Sequence, residues 1–159
     1  MCVDDGWSVG DQMAQPSLVD GGACPGGVVG ELQRASLGGQ VDGAVASHTA
    51  RGFQCSILDI GNVLGTATAT MGMAVRKRGR TTGLTYGNVE SVDLTVSINY
   101  CNGLGTVTLT NQIGIEVDES PSPKFGEGGD LGSVVVNRSN RDVGLYFAGS
   151  GDGKHGAAN

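Results

Sequence analysis

Val89-Glu90-Ser91-Val92-Asp93-Leu94-Thr95-Val96-Ser97-Ile98-Asn99-Tyr100 decides how this chain is read. Apolar residues fall at Val89, Val92, Leu94, Val96, Ile98 and Tyr100, a period of two with one slip near Ser91. Period two places one face of a strand against a core, and a single slip is what a β-bulge produces. Asn102-Gly103 follows as a hairpin turn, since both residues tolerate positive φ. Leu104 to Asn111 and Ile113 to Val117 continue as β-branched alternation. Upstream, Met73 to Lys77 alternates and ends at Gly79; Thr81 to Tyr86 leads to Gly87-Asn88, which reads as a turn. Downstream, Val134 to Asn137, a turn at Arg138-Ser139-Asn140-Arg141, and Val143 to Ala148 form a second hairpin. Residues 1–30 are rich in turn signals, with a short strand expected at 28–34. Val41 to Ala46 is a short apolar segment, and 55–60 alternates loosely beside Gly61-Asn62. Nothing sustains a 3.6-residue period, so the chain is expected to be antiparallel and all-β, a barrel or a sandwich.

Composition agrees. Of 159 residues, 29 are glycine and only four proline, and the glycines lie among Val, Thr, Ile and Leu. That mixture suits short strands joined by tight turns. Aromatic residues are 4% of the chain, so the core must be built from small aliphatic side chains. The net charge of −6 disfavours nucleic acid as a partner. No apolar run approaches the roughly 20 residues that span a bilayer, so no membrane partner is expected. Met1-Cys2-Val3-Asp4-Asp5 lacks the basic and apolar regions of a signal peptide. Cys2, Cys24, Cys55 and Cys101 are widely spaced, with no CxxC pattern, so neither zinc nor any other metal or cofactor is expected. If oxidised they allow three pairings; free thiols fit the spacing equally well.

Gly128-Gly129-Asp130-Leu131-Gly132-Ser133, followed by Val134-Val135-Val136, resembles the nucleophile loop of trypsin-like serine peptidases. Those enzymes carry Gly-Asp-Ser-Gly-Ser or Gly-Asp-Ser-Gly-Gly before an apolar strand. Leu131 stands where the attacking Ser belongs and has no nucleophilic atom. Other pieces match the bacterial branch of the same family in sequence order. Gln15-Pro16, Asp20-Gly21-Gly22 and Val29-Gly30-Glu31-Leu32 resemble its approach segment. Val41 to Ala46 resembles the segment bearing the catalytic Asp, and Val75 to Thr85 the start of its second barrel. Val143 to Ser150 resembles the strand lining the substrate cleft.

The resemblance implies a chymotrypsin-type double β-barrel. Residues 1–69 would be a remnant of the first barrel, lacking its opening strands, and 70–159 a nearly complete second barrel. It places Asp42 at the triad position that orients the His, yet the only histidines are His48 and His155, and both follow Asp42. It assigns oxyanion-type backbone N–H groups to Gly129 and Leu131. It puts Ala148, Gly149 and Ser150 along the cleft and Phe125 at the floor of the specificity pocket. Ser133 would sit about 6–7 Å beyond the nucleophile position, too far to replace it, and is expected to serve as a structural hydrogen-bonding group. Asp130 needs a partner that the sequence does not identify.

The remaining clusters read plainly. Arg76-Lys77-Arg78-Gly79-Arg80 lacks interleaved aromatics and is expected to be a solvated strand end. Gly149 to Gly153 has no helix after it, which argues against a phosphate loop.

The expected function is a degenerate, inactive peptidase homologue that binds a peptide or protein segment. One alternative is a serine endopeptidase in truncated or Ser-to-Leu inactivated form; another is an oligomerising β module. An incomplete first barrel leaves edges near 28–60 unpaired, so self-association is expected, with Val28, Val29, Leu32, Val45, Ile57 and Ile60 short of a facing sheet.

Overall fold

The computed structural model describes residues 7–49, 52–100 and 103–159. Its strands are β1 (Gln12–Ala14), β2 (Val28–Gly38), β3 (Val41–His48), β4 (Ser56–Ile57), β5 (Gly61–Asn62), β6 (Ala74–Gly79), β7 (Gly83–Tyr100), β8 (Gly105–Val117), β9 (Val134–Asn137), β10 (Asp142–Gly149) and β11 (His155–Ala158). The only helix among the described residues is a single 3-10 turn, Leu18–Asp20. Among the described residues the strand pairings whose register is described are antiparallel, with two isolated parallel bridges, Gly39 to Leu109 and Thr66 to Asp142. The chain is therefore all-β.

Two compact units divide it. One comprises Met1–Ser36 and Gly43–Gln54, the other Leu37–Asp42 and Cys55–Asn159. In the second unit six strands close into a barrel in the order β10-β11-β8-β7-β6-β9. Its interior is Val75, Val89, Ile115, Val117, Phe125, Val135, Tyr146 and Ala158. A second cluster, Leu109, Phe147 and Ala157, packs with Leu94, Val96 and Ile98 on the extended β7–β8 hairpin. The hairpin turn expected at Asn102-Gly103 falls partly outside the described residues; Gly103 has φ of +82°.

The structure departs from the expected elements in three informative places. Gly87 and Asn88 form no turn; they run through β7, paired with Val75 and Ala74. Gly87 is there for close approach: a Cβ would lie 2.6 Å from the Glu116 carbonyl oxygen and 2.9 Å from the Phe125 ring. The single slip near Ser91 is three register shifts, between Val89 and Val96. Residues 155–158 form a strand that propensity does not announce, because His-Gly-Ala-Ala is held by β10 on one side and β8 on the other.

The first unit carries the three-stranded sheet β1-β2-β3. Leu32, expected to lack cover, is 2% exposed; Val45 on β3 is 54% exposed. Cys24 is disulfide-bonded and Cys55 is an exposed free thiol. Cys2 and Cys101 lie outside the described residues, as does the Met1–Asp5 stretch. Among the described residues no helix is long and apolar enough to cross a membrane, and no group of three metal-ligating side chains occurs.

Candidate functional site

The loop between β8 and β9 is organised around Asp130. Its carboxylate is 1% exposed and receives five donors. Thr81 and Thr82 N–H donate to Oδ1 at 2.7 and 3.2 Å. Thr82 Oγ1, Glu127 N–H and Lys77 Nζ donate to Oδ2 at 2.6, 3.1 and 3.1 Å. Burial pushes this carboxyl up, but the bonds from Thr82, Glu127, Thr81 and Lys77 outweigh it and hold the pKa down at about 2.

Lys77 is the partner that the sequence left unnamed. It belongs to the basic run, yet it is fully buried, a correction to its reading as a solvated strand end. Along β6 it is in phase with Val75 and Gly79, and all three face inward. Its ammonium lies 5.1 Å from the Tyr146 ring centroid and 5.4 Å from that of Phe125. Burial draws it below the ordinary lysine range, opposed by the hydrogen bond and charge of Asp130. Tyr146 is pushed up to about 12 by burial and by the charges of Asp130 and Glu127.

With Asp130 locked inward, Leu131 is turned out: it is 60% exposed at the tip of the turn. Gly129 and Gly132 flank the pair at φ of +95° and +83°. The N–H groups of Asp130, Gly132 and Ser133 are bonded to Glu127, Tyr146 and Asp130 carbonyls at 3.1, 2.7 and 3.1 Å. Those of Gly129 and Leu131 have no acceptor among the described residues. The Ser133 hydroxyl donates to the Asp130 carbonyl, a structural use.

The other candidate residues are placed as follows. Ala148, Gly149 and Ser150 line a cleft of about 500 Å³ walled by Leu94, Val96 and Ile98. Phe125, expected at a pocket floor, is fully buried in the barrel core, edge-on to Tyr146 with centroids 5.8 Å apart. The Asp42 carboxylate accepts a 2.5 Å hydrogen bond from the Tyr100 hydroxyl, and its backbone carbonyl accepts from Asn159 Nδ2 at 2.9 Å. Burial and that carboxylate raise the Tyr100 pKa. Neither histidine is free: His48 stacks on Phe53 at 3.9 Å, and His155 Nδ1 lies 3.1 Å from Glu90 Oε1. Tyr100 as the partner of Asp42 had no signal beyond its place at a strand end.

This architecture is that of the bacterial chymotrypsin-like serine proteases. The chain is similar to chymotrypsin from Cellulomonas bogoriensis, at 25% identity and TM-score 0.63 over 83% of this chain and 71% of that one. It is similar to a glutamic acid specific serine protease that uses a histidine triad in substrate binding, at 25% and 0.65 over 88% and 69%. It shares the fold of Nocardiopsis protease, at 24% and 0.68 over 96% and 73%. No protein-family profile and no curated protein sequence matches the chain.

Proposed function

We propose that this chain is a proteolytically inactive homologue of the trypsin-like serine peptidases that binds an extended peptide segment. The observation that carries this is Leu131. The residue at the nucleophile position projects into solvent, on a turn whose neighbour Asp130 is anchored by five donors. The loop is built as a serine peptidase would build it, but its outward side chain is hydrocarbon. Acyl transfer needs an oxygen or sulfur nucleophile there, and Leu supplies none. What survives is a pair of unpartnered backbone N–H groups, Gly129 and Leu131, suited to a carbonyl or carboxylate oxygen. The Ala148–Ser150 edge stands beside a cleft able to take a side chain.

The test is turnover of a broad peptide library and of casein by the purified chain. No cleavage above a buffer control, with saturable binding of some library peptides, is the expected result. Cleavage above that control, or no saturable binding of any library peptide, would contradict it.

A second reading, self-association, is favoured by Val45, 54% exposed on the edge strand β3. Light scattering at micromolar concentration should return a dimer mass; a monomer mass would remove this reading and leave the first intact.

A further inference from the structure

A pocket of about 310 Å³ opens on the barrel wall between Ala74–Arg76 of β6 and Tyr86–Gly87 of β7. Asp118 and Arg138 complete its lining. Its lining includes two arginines, Arg76 and Arg138, and neither makes an ion pair among the described residues. Arg76 spends one terminal nitrogen on Asn140 Oδ1 at 2.5 Å, while its Nε is buried without any partner. Arg138, exposed in the β9–β10 turn, makes no hydrogen bond or ion pair among the described residues. The other arginines of the barrel with described contacts are engaged: Arg78 with Asp59 and Arg141 with the Thr66 carbonyl. Two arginines and one carboxylate, Asp118, share this lining, so in a chain of net charge −6 the pocket carries a local excess of positive charge that suits an anion.

The rest of the lining narrows the ligand. Tyr86 is the cross-strand neighbour of Arg76 and adds a phenol to the wall. Asp118 is half-buried, and its carboxylate has a single described bond, from the Ser120 N–H to Oδ1 at 3.2 Å. A carboxylate in an anion pocket repels a fully deprotonated oxyanion but accepts a hydrogen bond from one that keeps a proton. Two forked donors beside one acceptor therefore match a tetrahedral oxyanion carrying one O–H. At neutral pH hydrogen phosphate carries that O–H; sulfate does not.

We infer that the Arg76–Arg138–Asp118 pocket is a phosphate-binding site, selective for a protonated phosphoryl group over sulfate. It is separate from the Leu131 loop and does not rest on the function proposed above. A phosphate monoester, with its second pKa near about 6, has largely lost its O–H at about pH 7.5, so the ligand that fits is the free hydrogen phosphate ion.

Calorimetric titration of the full chain with sodium phosphate at pH 7.5 and constant ionic strength tests this. Saturable binding is expected, with sulfate at least about tenfold weaker, because a site built to accept from an O–H rejects the analogue lacking it. Arg138→Gln, at an exposed turn position that leaves the fold undisturbed, should weaken phosphate by about tenfold or more. Asp118→Asn should abolish the preference for phosphate over sulfate. Methyl phosphate is the third probe: largely dianionic and without the O–H at this pH, it should bind as weakly as sulfate, and affinity equal to inorganic phosphate would overturn the selectivity inferred here. The absence of saturable phosphate binding would overturn the inference. So would equal binding of sulfate and phosphate by the unmodified chain, or wild-type affinity in Arg138→Gln.

Discussion

Lys77 Nζ lies 3.1 Å from Asp130 Oδ2, and both side chains are sealed from water. The pair joins β6 to the loop that carries Leu131. It fixes that loop from below, through the one residue whose side chain must point inward for its neighbour to point out. Gly79, one pleat further along β6, leaves the room: a Cβ there would sit 2.3 Å from Asp130 Oδ1.

Breaking the pair on one side should be severe. Lys77→Ala or Asp130→Ala strands a buried charge, and each is expected to destabilise the barrel by about 3–5 kcal/mol. A joint Lys77→Met, Asp130→Leu replacement should lose much less than the sum of the two singles. Urea unfolding of the four proteins decides this; strictly additive losses would mean the two groups do not depend on each other.

Acid should act through the same carboxylate. Asp130 is held at about 2, below its ordinary 3.8, so its contribution is present above about pH 4. It is lost as pH falls from about 4 toward 2, and the depression corresponds to about 2 kcal/mol. Denaturant midpoints measured from pH 6 to pH 2 should fall across that window. In Asp130→Asn, already weaker, this component should be missing; an identical slope in both proteins would assign acid lability elsewhere.

Gly79→Ala should cost about 3 kcal/mol, since the added methyl overlaps the Asp130 carboxylate and cannot be relieved without shifting its donors. A thermal midpoint within one degree of the parent chain would show that the loop is not packed against β6 as described.

Much of this fold is legible in the residues. The alternation of Val89 to Tyr100 marks β7, whose burial alternates along most of its length, and the apolar segments Val134–Val136 and Val143–Ala148 on either side of a turn mark β9 and β10. What misled was local chemistry overruled by tertiary contact. Gly87-Asn88 has turn residues but sits in a strand where only a hydrogen fits beside Phe125. Lys77 has a surface side chain but is drawn inward by Asp130, and its phase with Val75 and Gly79 is the one signal that foretold it. The loop at Leu131 is recognisable as a motif because the turn demands Gly, Asp and Gly at set positions. The pocket of Arg76, Asp118 and Arg138 is not, because its residues are 42 and 20 positions apart and meet only when the barrel closes.

Leu131→Ser should restore no catalysis in this chain. A serine hydroxyl needs a base to take its proton, and the two imidazoles are committed elsewhere, His155 to Glu90 and His48 to the face of Phe53. Hydrolysis of an activated ester by this variant should stay within about threefold of the parent chain, as only oxyanion and binding effects remain. A hundredfold increase, reversed in Leu131→Ala, would show that a base does reach the loop.

The central claim is that the chain has the serine peptidase fold without its nucleophile. It is tested most directly by intact-mass spectrometry after incubation with a fluorophosphonate probe, which phosphonylates only an activated serine. An unchanged mass is expected, with an active serine peptidase labelled in parallel. A single stoichiometric adduct, blocked by prior heat denaturation and mapped to any serine of this chain, would contradict it.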